Sequence, residues 1–267
     1  MSAPSLNFSS FADMYEHVLV GPLFSQWVDD LLRRTELTAG EHVLDVACGT
    51  GIVARRARQR VGADARVIGV DPSAPMLAVA RQAAPDIDWR EGNATALPLG
   101  DDEQVDVVFC QQGLQFVADK AAAAREMRRV LRGRGRVAVA TWLPLDDVPM
   151  CRDLHAVAAR HLGSVVDQRH TFGVAAAVVA LLTEAGFRDV RAETVSRTVH
   201  FDDPTLFFQM NANAITGMSE AGKNMSDADR AGVVALIAAD SRTLLSRYGD
   251  GAGVSFELSA NVATGRV

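Results

Sequence analysis

The chain has 267 residues, 48% of them hydrophobic, with 27 basic and 33 acidic side chains and a formal charge of −6. This length can bury one large domain, or a domain with a cap, and the acidic balance argues against a nucleic-acid surface. Cys48, Cys110 and Cys151 are isolated and lack paired metal-site spacing. Neither a signal peptide nor a membrane-length apolar run is read. The expectation is a cytoplasmic protein with no metal and no membrane partner.

Residues 1–8 read as a frayed start. Phe11, Tyr15, Val18 and Leu19 then recur at helical spacing, and Gly21-Pro22 predicts a break. A second helix is expected from Leu23, with Phe24, Trp27, Val28, Leu31 and Leu32 on one stripe, ending at Gly40. Residues 43–46 form a buried apolar strand that carries Asp45. The small-residue turn Ala47-Cys48-Gly49-Thr50-Gly51 follows, where Gly49 and Gly51 allow backbone angles and close approaches that a Cβ would block. An arginine-rich helix over about 50–61 comes next, so a ligand can touch bare backbone at a helix N-terminus.

A second strand, 66–70, ends in Asp71, and Pro72-Ser73 opens a helix carrying Met76, Leu77 and Ala80. A short third strand, 87–90, leads into Gly92-Asn93-Ala94. The fourth strand, 105–110, runs into Gln111-Gln112-Gly113-Leu114-Gln115. A helix over 120–131 should end at Gly133 and Gly135, with a fifth strand at 136–142. Helices at 151–162 and 174–185 and a strand at 190–201 follow. Ser226-Asp227-Ala228-Asp229 resembles a capping box that starts another helix, and the last strand is placed at 254–262.

Two cofactors use such a glycine turn. Gly49-Thr50-Gly51-Ile52-Val53-Ala54 fits the dinucleotide pattern, with Asp71 about 20 residues on. S-adenosylmethionine is the other candidate; it has no phosphate and carries sulfonium and ammonium charges. Asp45 separates the two. A carboxylate about 5 Å from a pyrophosphate would cost roughly 3 kcal/mol at an effective dielectric near 20, and the same group gains by a similar amount near an ammonium. The competing reading of Asp45 is a cap on the turn.

The segments LDVACGTG, VIGVDPSAPMLAVA, WREGNATALPL and DVVFCQQGLQFV, in that order, resemble the class I S-adenosylmethionine-dependent methyltransferases, and within them the ubiquinone/menaquinone C-methyltransferase branch. The resemblance covers about residues 10–142. It departs at Ala47, where the family's first motif glycine usually stands. It implies an α/β fold: a doubly wound, seven-stranded, mostly parallel sheet with its last strand antiparallel beside strand five, and a helical cap. Residues 1–40 would be helices over the cofactor mouth, 41–143 the cofactor-binding core, and 144–267 the rest of the sheet with cap insertions, all in one domain. The implied cofactor-binding residues are Tyr15 over the methionine end, Asp45, Ala47 and Gly49 at the turn, Asp71 on the ribose hydroxyls, Met76 on the adenine face, Asn93 and Ala94 at the adenine edge, and Gln111 meeting the methionyl ammonium. Asn93 stands where the family usually has Asp, and an Asx-turn role rivals its adenine role.

Residues 202–252 carry Phe207, Phe208, Met210 and Met218, next to Phe201. They read either as a lid with an acceptor pocket or as a helical cap with its own core. No general base is named; His170 is first choice over His155, His161 and His200, and none is assigned as catalytic. The expected partner is a small apolar, aromatic or quinone-like methyl acceptor, attacked at carbon, oxygen or nitrogen. Oligomeric state stays open, a homodimer being one option. The rival readings are an NAD(P)-dependent oxidoreductase and a non-catalytic cofactor-binding regulatory module.

Overall fold

Val43, Leu44 and Val46 of strand β1 (Val43–Val46) are fully buried in the computed structural model, which describes residues 10–267. The expected frayed start at 1–8 lies outside the described residues. β1 is covered on both faces, as a continuous apolar run in a parallel sheet requires. It pairs in parallel with β2 (Val67–Asp71) on one side and β4 (Val105–Gln111) on the other. β2 pairs in parallel with β3 (Asp88–Glu91), and β4 with β5 (Leu131–Trp142). β6 (Arg188–Phe201) and β7 (Val254–Arg266) complete the order β3-β2-β1-β4-β5-β7-β6. The Val267 N–H donates to the Gly135 carbonyl and the Leu143 N–H to that of Ser259, so β7 descends as β5 ascends. This is the expected doubly wound sheet with an antiparallel last strand. The strand order reverses between β1 and β4, and ligands of such sheets bind at that switch, outside the carboxyl ends.

The crossover helices are α3 (Ile52–Val61), α4 (Ala74–Ala83) and α5 (Lys120–Arg129). The Ser73 hydroxyl caps α4 by accepting from the Met76 N–H. Asp119 caps α5 through the Ala122 N–H at 2.8 Å. Both are ordinary N-cap chemistry.

Three local expectations are corrected. The N-terminal helix does not break at Gly21-Pro22: α1 (Phe11–Met14) passes through wide, π-type turns over Tyr15–Ser25 into α2 (Gln26–Arg34). A widened turn relieves the clash of a proline ring with the preceding carbonyls. The Ser25 hydroxyl and Gln26 amide then donate to the Gly21 and Pro22 carbonyls at 2.6 and 3.0 Å. α2 ends at Arg34 rather than at Gly40, which sits at φ +83° in the turn before β1. Gly133 and Gly135 lie inside β5 rather than before it, because the β4–β5 ladder starts at Leu131 and shifts register between Val105 and Val107. Strand glycines often mark such irregularities.

The chain divides into two compact units. The first is the chain to Thr141 with Ala175–Glu193 and Val262–Val267; the second is Trp142–Val174 with Thr194–Asn261. The second contains α6 (Pro149–Leu162), α8 (Pro204–Met218), α9 (Glu220–Lys223), α10 (Asp227–Ser241) and α11 (Leu245–Tyr248). α7 (Ala175–Glu184) belongs to the first. In the second unit Phe207 packs on Phe201, Phe208 and Phe256 at centroid distances of 4.6, 5.5 and 5.5 Å, and all four rings are buried. Phe207 and Phe208 therefore belong to that unit's own core. Ser226 caps α10, accepting from the Asp229 N–H at 3.1 Å.

Trp89 fixes the glycine turn from the side of β3. Its indole fills the space where a Cβ on either Gly51 or Gly69 would sit, and its Nε1–H donates to the Ala84 carbonyl at 2.8 Å. Gly69 lies in β2 without a left-handed φ, so its replacement is a purely steric test. Gly69→Ala should lower unfolding stability by about 1–3 kcal/mol. Trp89→Leu in the same chain should recover part of that loss, as measured by denaturant titration of the two single variants and the double variant.

Candidate functional site

The carboxyl ends of β1, β2 and β4 bring most of the expected site residues together. The Gly49 N–H donates to Asp71 Oδ2 at 2.8 Å, which ties the turn after β1 to the end of β2. The other Asp71 oxygen accepts from the Ser73 N–H at 2.8 Å. Asp45 is 1% exposed, and its Oδ2 accepts from the Ala54 N–H of α3 at 3.0 Å, so it does cap the helix. A Cβ built on Gly49 would have one neighbour among the described residues, Cε1 of Tyr15 at 4.0 Å. Gly49 thus faces open space bordered by the phenol ring. Gly51, whose front is filled by Trp89, does not.

Two of the four non-glycine residues with left-handed backbone among the described residues sit at the same edge, Glu36 and Asp189 being the others. Ala47 and Gln112, neither of them glycine, sit at φ +55° and +54° at the ends of β1 and β4. A left-handed residue with a side chain costs roughly 1–2 kcal/mol, and such residues cluster where function holds them. A Cβ on Gly113 would overlap that of Ala47, so these two turns are closely apposed. Alanine keeps the turn that the family usually makes with glycine.

The charges are consistent with a cationic ligand. Burial pushes the Asp45 carboxyl up to about 8, opposed by the Ala54 N–H and assisted by the charge of Asp71. Burial also raises Asp71, against the N–H groups of Gly49 and Ser73. Burial, then the negative charges of Asp71, Glu16 and Asp45, push the Tyr15 phenol well up, so it stays neutral. Arg55 is tied to Glu16 Oε1 at 2.6 Å.

Unpartnered polar atoms mark the crevice further. Among the described residues, Gln111 Oε1, both amide atoms of Gln112 and of Gln115, Thr50 Oγ1 and Glu16 Oε2 are buried without a hydrogen-bond partner. Gln111 Nε2 donates to the Phe24 carbonyl at 3.0 Å. Buried amides are normally paired, and one left unmade costs about 1–3 kcal/mol. Such a set suits a ligand bearing ammonium, carboxylate and ribose hydroxyls, as S-adenosylmethionine does. Thr50 and Glu16 were not legible as site residues, since a lone hydroxyl and a lone acid carry no spacing signal.

Three expected residues are less engaged. Met76 is half-buried on α4, and Ala94 is buried. Asn93 is exposed, and its Oδ1 accepts from the Thr95 N–H and hydroxyl at 3.0 and 3.1 Å, which is the Asx-turn geometry. The four histidines weighed as bases are all bonded. His155 meets Asp167 at 2.8 Å, His161 meets Asp240 at 2.9 Å, His170 Nδ1 donates to the Leu143 carbonyl at 2.7 Å, and His200 meets Ser255 at 2.8 Å.

A family model described as a methyltransferase domain matches residues 44–139. The chain is 36% identical over 138 residues to a 2-phytyl-1,4-naphthoquinone methyltransferase of Thermosynechococcus vestitus, covering 49% of this chain and 61% of that one. It is 37% identical over 175 residues to a ubiquinone/menaquinone biosynthesis C-methyltransferase of Hahella chejuensis, covering 60% of this chain and 69% of that one. The chain belongs to the class I S-adenosylmethionine-dependent methyltransferases. It spans 52–61% of the length of the naphthoquinone methyltransferases it matches in Thermosynechococcus vestitus, Trichormus variabilis and a Nostoc species. A methyltransferase from an antibiotic biosynthesis pathway of Anabaena variabilis shares the fold, with a TM-score of 0.61, 18% identity and coverage of 89% and 96% of the two chains.

A carboxyl raised on folding binds more protons in the native than in the unfolded chain, so it removes stability as pH rises from its ordinary 3.8 to about 8. His42 and His170 are lowered, chiefly by burial, and act in the opposite direction. The readout is therefore a difference. Between pH 5 and 8 the ligand-free protein should lose stability relative to Asp45→Asn, as followed by denaturant unfolding at each pH.

Proposed function

We propose that the protein transfers a methyl group from S-adenosylmethionine to a small apolar, aromatic, quinone-like acceptor. The observation that carries the cofactor half is the pair of buried carboxyl groups, Asp45 and Asp71, beside a turn with open space at Gly49, with unpartnered amide atoms on Gln111, Gln112 and Gln115. The acceptor half rests on the quinone-related names of the matched relatives. When bound, the cofactor supplies an electrophilic methyl group on sulfur.

The roles of this chain's residues are binding and orientation. Asp71 takes the ribose hydroxyls, exchanging its backbone donors or sharing them. Asp45, ionising as the ligand binds, supplies negative charge for the methionyl ammonium, which the Gln111 backbone also meets. Ala47 and Gly49 let the ligand approach bare backbone. Tyr15 closes over the methionine end as a neutral ring. Met76 lies on the adenine face and Ala94 packs at that edge, while Asn93 keeps its amide oxygen in the turn with Thr95 and would have to release it to read the adenine amino group. Positioning and exclusion of water can supply much of the rate of an in-line displacement, and an activated ring carbon needs no strong base. Three unpaired cysteines suit a reducing, cytoplasmic setting. No helix among the described residues is long and apolar enough to cross a membrane.

A nicotinamide-dependent oxidoreductase is not favoured, because its pyrophosphate would meet Asp45 and Asp71. Calorimetry decides that point: S-adenosylhomocysteine should bind and NADH should not. Asp71→Ala, checked for folding by circular dichroism, should weaken S-adenosylhomocysteine by about 1.5–3 kcal/mol, the scale of hydrogen bonds to a charged group. Labelled methyl groups should move to naphthoquinols or phenols in a turnover panel. Cofactor binding with no turnover on the panel would instead indicate a regulatory module.

A further inference from the structure

The first unit holds a second cavity, of about 510 Å³, whose wall carries four arginines, Arg34, Arg136, Arg191 and Arg266, against one carboxylate, Asp189. The arginines come from four elements: the end of α2, β5, the first turnless stretch of β6, and the last residue of β7. Arg136 pairs with Val107 of β4, whereas Gln111 pairs with Ala140. Arg136 therefore lies four residues toward the amino end of β5, about 13 Å along the strand from the Gln111 edge at 3.3 Å per residue. The cavity opens at the opposite edge of the sheet from the glycine turn.

Three of the arginines are anchored by acids that do not line the cavity. Arg34 meets Glu193 at 2.8 Å, Arg136 meets both oxygens of Glu41 at 2.7 and 2.8 Å, and Arg266 lies 4.0 Å from Glu36. Arg191 has no carboxylate within ion-pair distance among the described residues, and it is exposed. Among the described residues, the Nε–H groups of Arg34 and Arg136 are buried without an acceptor. A donor on a charged group left unpaired is costlier than a neutral one, and Arg191 adds a guanidinium with no ion-pair partner among the described residues to a wall whose other three arginines are already paired. An anion relieves both. Its size follows from the volume, which lies within the range of small-molecule pockets and far exceeds the space of a water. Guanidinium forks match phosphate geometry with paired donors.

We propose that this cavity is a second ligand site, separate from the glycine-turn crevice, that takes a small polyanion carrying a diphosphate group. The site stands independently of the methyl-transfer reading. The probe is inorganic pyrophosphate, titrated calorimetrically into the full chain at about 20 mM and about 200 mM salt, the latter to screen exposed charges. Saturable one-to-one binding is expected, weaker at the higher salt and unaltered by saturating S-adenosylhomocysteine. Arg191→Glu changes an exposed, unpaired side chain and should keep the fold. It should weaken pyrophosphate about ten-fold or more, a factor equal to ~1.4 kcal/mol, and leave S-adenosylhomocysteine affinity unchanged. The proposal is overturned if pyrophosphate does not saturate, if Arg191→Glu binds it equally, or if S-adenosylhomocysteine displaces it. Equal affinity for sulfate or citrate would also overturn it, since either would show general anion attraction rather than a diphosphate site.

Discussion

The hydrogen bond from the Gly49 N–H to Asp71 joins the first two strands of the sheet at their carboxyl ends, and the geometry of the crevice depends on it. It holds the turn after β1 against the end of β2 and keeps one carboxylate beside bare backbone. Asp45, one strand in and more deeply buried, is fixed by the Ala54 N–H at the start of α3. Among the described residues, neither carboxylate has a cationic side chain as a hydrogen-bond partner. The fold thus holds two carboxyl groups where burial opposes their ionisation, and both respond with raised pKa values.

The same edge carries further local costs. Left-handed Ala47 and Gln112 and the unpaired amides of Gln112 and Gln115 lie within a few residues of the ends of β1 and β4. Away from that edge, Arg90 is clasped by Asp88 and Glu103, Arg129 by Glu126, and Arg58 by a run of carbonyls. Several amide atoms left unmet within one crevice mark a site there, because local inconsistency is tolerated where a ligand repairs it. Trp89 serves this arrangement from outside: it occupies the space beside Gly51 and Gly69 and so stiffens the turn without closing the open face at Gly49.

The parallel core was legible because its signals are local. A buried strand of Val43, Leu44 and Val46 followed by small residues can be read from nine letters, and Asp71 at the end of an apolar run likewise. What escaped the sequence depends on distant partners. The purpose of Gly51 lies in Trp89, 38 residues on (89 − 51). The helix through Pro22 persists because wide turns and the side chains of Ser25 and Gln26 absorb a break that the dipeptide alone would make. Gly133 and Gly135 resemble a helix stop, but their place is set by strand pairing with β4. Asn93 could be read two ways, and its bonds to Thr95 follow the local turn. Four arginines from four elements could not be seen as one wall before the sheet was assembled.

The central claim is that Asp45 and Asp71 are kept buried to meet positive charge, and proton release on binding tests it most directly. At pH 7 a carboxyl raised to about 8 is largely protonated, and a neighbouring ammonium should drive it to ionise. Calorimetric titration of S-adenosylmethionine in two buffers of different ionisation enthalpy counts the protons exchanged. The account predicts net release from the wild-type protein and a clear reduction of that release in Asp45→Asn. Equal proton exchange in the two proteins, or net uptake by the wild type, would contradict it.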